Sequence, residues 1–277
     1  MDFRTGRMIS ARMSTLASLQ DTIRHLEAQT MPLHAEHVAL GHAGADAMLQ
    51  GGLLRGAMHE VFALETRQSA AATGFVAGIA ERLSNHRPLL WVQQDFAETE
   101  VGALSMSGFA ELGLDPRRLV LVSVPNAETG LKVAADALAC DALGAVILEL
   151  WGGAKTFDLV ASRRLTLAAR SSGVPCVMLS TSSEPVISTA ETRWIVRARR
   201  SPPGPDWVAW GAPVLDVELV RNRHGQTGRW IMEWDCDERI FREPATYSQP
   251  LVAAPADRPH QAPAHAGGSV ARMRRAG

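Results

Sequence analysis

Lysine is almost missing from this chain. Of its 28 basic residues only Lys132 and Lys155 are lysine, so arginine carries nearly all the positive charge. A strong excess of either charge is missing too. The formal net charge is −1 and the pI about 6.8, which argues against a broadly basic nucleic-acid-binding surface and leaves room only for a local patch. Cysteine is scarce. Cys140, Cys176 and Cys236 lie far apart, match no metal-ligand spacing, and each falls in or beside an apolar run, so the expectation is core packing in a reducing compartment. No stretch approaches 18 uninterrupted apolar residues, and no signal-peptide-like apolar core stands near the N-terminus, so a soluble cytoplasmic protein is expected.

What is present is ordinary globular composition, 46% hydrophobic and 21% charged over 277 residues, enough to bury a large core. Residues 9–29 place Ile9, Met13, Leu16, Leu19, Ile23 and Leu26 at spacings of three and four, one apolar stripe on a helix. That stripe could fold back on the core or dock on a partner. From Ala57 onward strands and helices alternate: strands at 57–63, 88–92, 118–124, 144–151 and 174–181, helices at 70–84, 98–112, 127–139 and 157–172. Continuous apolar strands between amphipathic helices indicate an α/β fold with a mostly parallel sheet covered on both faces. The pattern then changes at 192–200, "VLDVELVRN" and "RWIMEWD", where polar and apolar residues alternate as in antiparallel strands at one sheet edge. "NRHGQTG" joins the last two, with Gly225 expected at a positive φ. The organisation read from this is an N-terminal helical extension (1–34), a core (35–243) and a proline- and alanine-rich tail (244–277) too poor in apolar residues to order itself.

The turn after the first core strand frames a phosphate loop without its chemistry. A P-loop, G-x-x-x-x-G-K-[ST], needs glycines so that backbone N–H groups point inward, a lysine on the outer phosphates and a hydroxyl on Mg²⁺. In "ALETRQSAAATG" the glycine positions hold Ala63 and Gln68, Ser69 replaces the lysine, and Ala70 replaces the hydroxyl. Losing several charge-assisted contacts of roughly 1.5–3 kcal/mol each would weaken ATP binding by orders of magnitude, so no cofactor and no catalytic residue are assigned. "WGGAKTF" at 151–157 also precedes a helix, but its register fails, with Glu149 and Ala154 at the glycine positions. A rival reading keeps ATP chemistry, with Arg67 or Lys155 as the phosphate cation.

At these residues the chain resembles a family. Gly51, Gly52, Leu53, Gly56, Glu60, Val61, Phe62 and Glu65 are similar to the approach to a RecA-type core, G-G-L-x-x-G then E-[IV]-[FY]-G-P-E-S-S-G-K-T, with the phosphate ligands gone. "LGLDPRRLVLVSVPNAETGLKVAADALACDALGAVILEL" resembles the following RecA-type segment, with Thr129-Gly130 in the loop before a helix, Glu149 at the Walker B place and Asp95 near the water-activating acid. An eroded phosphate loop, an N-terminal helix and an ending like "VELVRNRHGQTGRWIMEWD" are together similar to the ImuA family. The resemblance implies a RecA-like three-layer sandwich with antiparallel strands toward the C-terminal side. It also implies a non-catalytic role in SOS, damage-induced mutagenesis beside an ImuB-type Y-family polymerase homologue, contact with RecA, and indirect work with an error-prone replicative-type DNA polymerase. A SulA-type cell-division inhibitor is the alternative kin.

Other features are weaker. Arg193, Arg197, Arg199 and Arg200 and the group Arg221, Arg223, His224 and Arg229 would gather at the sheet edge, as a solvated face or as a contact for phosphates or an acidic partner; Arg221 and Arg223 are the candidates named for such a contact. His34, His37 and His42 lack carboxylate or cysteine partners and read as surface loop residues. Ser69 lacks the G-x-S-x-G of a nucleophile elbow. Trp207 and Trp210 are the tryptophans expected on a contact surface.

Overall fold

The computed structural model describes residues 36–153, 156–201 and 211–244. The N-terminal stripe with Leu16, Leu19, Ile23 and Leu26, together with His34, Lys155, Trp207, Trp210 and the tail, lies outside the described residues.

A short antiparallel pair, β1 (His37–Val38) with β2 (Leu53–Leu54), flanks helix α1 (Ala43–Met48) and leads into β3 (Met58–Ala63). A 3₁₀ turn (Thr66–Gln68) then opens α2 (Ser69–Ser84). There follow β4 (Leu89–Gln94), α3 (Asp95–Val101), α4 (Met106–Glu111), β5 (Leu119–Val124), α5 (Ala127–Ala137), β6 (Ala145–Trp151), α6 (Leu159–Ser172) and β7 (Cys176–Thr181). Four strands complete the fold: β8 (Thr192–Arg199), β9 (Val214–Asn222), β10 (Gly228–Asp235) and β11 (Ile240–Arg242). The nine-stranded sheet has the order β11-β10-β9-β8-β3-β7-β6-β4-β5. From β8 to β5 neighbouring strands run parallel, and from β8 outward the pairs are antiparallel. Every residue of β3 is buried, as a central parallel strand covered on both faces requires.

Two apolar layers follow from the period of two along these strands. Val61, Trp91, Ile147, Val177 and Trp194 face α2, while Met58, Val92, Leu148 and Met178 face α5 and α6. Helix α2 sits close because its inner face is small: a Cβ on Gly78 would lie 2.6 Å from the Phe241 ring and 2.9 Å from that of Trp234. The helix ends at Asn85, which takes the left-handed conformation (φ 50°) that closes many helix C-termini.

Several expectations need correction. The helix expected over 98–112 is two helices, because Gly102 turns the chain (φ 87°) and Ser105 recaps it by accepting the Gly108 N–H at 3.1 Å. The strand expected over 118–124 is an edge strand, with Val120 and Leu121 exposed. Thr129-Gly130 lie within the first turn of α5, whose cap Asn126 accepts the Thr129 N–H at 2.9 Å. Gly225 does not take a positive φ; it is required by space, since a Cβ there would stand 2.6 Å from the Met48 carbonyl oxygen. Cys140 is exposed, whereas Cys176 is buried and Cys236 half-buried. His42 is buried and caps α1, and His37 is half-buried against the carbonyls of Leu49 and Gly52. The short strands β1, β2 and β11 had no sequence signal long enough to read.

Candidate functional site

The residues read as phosphate-loop positions lie between the C-terminal end of β3 and the N-terminus of α2. Ala63 is the buried last residue of β3; Glu65, Arg67 and Ala70 are exposed; Gln68 and Ser69 are half-buried. No residue from Ala57 to Ser84 has a positive φ. A cradle built of left-handed glycines is therefore absent, and the segment is a tight turn instead. Two of its amides are engaged internally, the Gln68 N–H donating to the Glu65 carbonyl at 2.9 Å and the Ser69 N–H to that of Thr66. The Gln68 side chain is anchored sideways, its Oε1 accepting the Ala198 N–H of β8 at 2.6 Å. Arg67 turns back on Glu65, with Nε 2.7 Å from Oε2. The one cation of the loop already has a carboxylate on it.

Glu149, at the Walker B place on β6, is buried, and its Oε2 accepts the Trp91 indole N–H at 2.8 Å. Burial pushes its carboxyl above the usual range, against the hydrogen bonds from Trp91 and Gln93 that favour the ionised form. A carboxyl held this way fits poorly as a metal-binding anion. Asp95 opens α3 and is exposed, while the neighbouring Gln94 accepts the Trp151 N–H at 2.8 Å. Beside these groups lies a cavity of ≈ 280 Å³ walled by Thr73, Ala77, Leu104 and Phe109, with Gln93 and Glu149 as its polar edge. Of the turn residues only Ala70 reaches it.

Of the arginines expected at the sheet edge, Arg193 stands opposite Arg221 in the β8–β9 register. However, β8 and β9 are interior strands, fourth and third from the β11 edge, and Arg197 and Arg199 stand opposite Asp216 and Val214. Interleaved carboxylates went unnoticed in the sequence. Arg193 Nε lies 2.7 Å from Glu60 Oε2, Arg197 is 3.0 Å from Glu218, Arg229 chelates Asp216, and His224 is 3.2 Å from Glu191. Arg221 donates to the Ser188 carbonyl at 2.8 Å, and the Arg223 N–H donates to that of Glu191. Burial raises the Glu60 carboxyl and Arg193 opposes that rise; burial also lowers Arg221, with Arg193 adding to the effect. The β3–β8 pairing puts Glu60 and Arg193 side by side, although they are 133 residues apart in the chain.

The comparisons with known proteins fall in with this geometry. Over 197 residues the chain is 30% identical to the protein ImuA of Caulobacter vibrioides strains NA1000 / CB15N and ATCC 19089, a match covering 66% of this chain and 77% of that protein. The chain belongs to the ImuA family. Among solved structures, the crystal structure of the RadB recombinase is matched with a TM-score of 0.52 at 14% identity, over 75% of this chain and all of RadB, which shows that the fold is RecA-like. No family model matches the chain. Among the described residues no group of His, Cys, Asp and Glu is arranged to hold a metal, and no helix is long and apolar enough to cross a membrane.

Proposed function

We propose that this ImuA-family chain is a non-catalytic, RecA-like accessory protein of SOS-induced translesion mutagenesis. In this reading it is an adaptor for an ImuB-type Y-family polymerase homologue and a modulator of RecA, and through the first partner it works indirectly with an error-prone replicative-type DNA polymerase. The observation that carries the reading is the closed turn at Glu65–Ala70. The Gln68 and Ser69 N–H groups are bonded within the turn, Gln68 is tied to β8 and Arg67 is paired with Glu65, so a triphosphate meets neither a glycine cradle nor an unpaired cation there. A RecA-like core kept intact around such a turn retains assembly surfaces while losing the motor.

Two measurements test it. Titration with Mg–ATP should give no binding up to about 1 mM, which corresponds to less than about 4 kcal/mol of affinity. Affinity purification of the full chain from DNA-damaged cells should recover an ImuB-type homologue or RecA. Recovery of neither, or tight nucleotide binding with turnover, would overturn the reading.

A further inference from the structure

Helix α6 has a buried face and an exposed face of unusual make-up. Ser162, Leu165, Thr166 and Ala169 pack inward. On the opposite side Val160 is 76% exposed and Leu167 55%, with Arg163, Arg164 and Arg170 around them. Residues at these spacings share one helical face. The segment leading to β8 adds to it. Thr189 is fastened to α6 through Thr166 (Oγ1 to Oγ1, 2.8 Å) and Ser162 (N–H to Oγ, 3.2 Å). Val186 and Ile187 stand two to three residues before this anchor, and Ile187 is 78% exposed. Of ten large apolar side chains exposed among the described residues, Val160 and Leu167 belong to this helix face, and Val186 and Ile187 to the segment that Thr189 fastens to the helix.

A merely solvated helix face looks different, and α5 provides the contrast. Its outer surface carries Glu128 and Lys132 paired at i,i+4, 2.7 Å apart. Between Leu159 and Ser172 there is no acidic residue, and among the described residues none of the three α6 arginines has an ion-pair or hydrogen-bond partner. The nearest carboxylates in sequence are Asp158, which caps the helix by accepting the Ala161 N–H, and the exposed Glu184. Unpaired guanidiniums surrounding protruding aliphatic side chains are the make-up of a protein contact whose counterpart brings carboxylates and apolar anchors.

We infer that the outer face of α6, with Val186 and Ile187, is a docking surface for an acidic, amphipathic segment of a partner protein. Charge decides among the occupants. A second copy in two-fold contact would set arginine against arginine. The chain's own residues 245–277 hold four arginines against one aspartate, and residues 1–35 hold four arginines against three acids, so neither is the acidic complement. A nucleic acid would use the arginines but leave Val160 and Leu167 without a role. The inference rests on the proposed adaptor role in that a partner protein must exist.

The test uses the full chain with a photo-crosslinking amino acid in place of Leu167, expressed in DNA-damaged cells, and maps the adduct by mass spectrometry. The expected adduct joins position 167 to a partner segment in which Asp and Glu outnumber Lys and Arg, with Leu, Ile or Phe at spacings of three and four. The triple reversal Arg163→Glu/Arg164→Glu/Arg170→Glu should abolish it, and Leu167→Asp should weaken partner binding at least tenfold, while thermal melting stays unchanged because these positions are exposed. Adducts to DNA, to lipid or to another copy of the chain would overturn the inference, as would no adduct. A partner that co-purifies equally with wild type and Leu167→Asp would sink this surface and leave the adaptor role standing; failure of all co-purification would instead sink the adaptor role.

Discussion

Gln68 and Ala198 are joined across the edge of the phosphate turn: the amide oxygen of one accepts the backbone N–H of the other at 2.6 Å. The residue standing at a glycine position of a P-loop is thus a strut between the turn and β8. Putting a lysine back should not revive the site. Ser69→Lys alone is expected to leave Mg–ATP binding undetectable at about 1 mM by calorimetry, since the amides of Gln68 and Ser69 stay bonded within the turn. Clear saturable heat from that single variant would show that charge alone was missing.

Glu149 predicts a different pair of outcomes. Glu149→Gln keeps an acceptor for the Trp91 indole and should change stability by less than about 1 kcal/mol, whereas Glu149→Ala strands a buried N–H and should cost about 1–3 kcal/mol. Urea unfolding followed by tryptophan fluorescence separates the two.

Gly78 is a packing limit. Gly78→Ala drives a methyl toward the rings of Phe241 and Trp234, which are parts of a tilted aromatic pair 4.7 Å apart, and should cost about 1–3 kcal/mol despite alanine's better helix propensity. A lowered urea midpoint at unchanged slope is the expected result.

His59 sets a pH dependence. Its Nε2 donates to the Leu54 carbonyl at 2.9 Å, and its Nδ1 lies 2.8 Å from a Thr192 hydroxyl that already accepts the Trp194 indole N–H. Desolvation lowers its pKa from 6.5 to about 4, so the folded state holds the ring neutral while the unfolded state protonates it between those values. The unfolded chain then binds more protons, so this group's contribution to stability falls as pH drops from about 6.5 to about 4, by up to about 1.4 kcal/mol per unit. In His59→Gln that part of the slope should vanish from denaturation curves measured at successive pH values.

Much of the architecture could be read from the chain because buried parallel strands are continuous apolar runs and their helices are amphipathic: β3, β4, β6 and β7 fall within a few residues of expectation. The two-helix break at Gly102–Ser105 was hidden because both halves carry helix-forming residues, and one glycine with a serine cap decides it. At the site, the missing P-loop residues were plain in the sequence. What replaced them was not. The Gln68–Ala198 bond and the Glu60–Arg193 pair each join elements some 130 residues apart, and no local pattern announces a contact made by sheet pairing.

The short strand β11 has a bearing on how this molecule comes into being. Phe241 donates its backbone N–H to the Leu40 carbonyl at 3.0 Å and lays its ring on Gly78, between α2 and Trp234. A chain still being synthesised therefore lacks this cover on one flank of α2. The aromatic closure arrives only when residue 241 has emerged, so a stop shortly before it would yield a protein with a bare, sticky groove along α2.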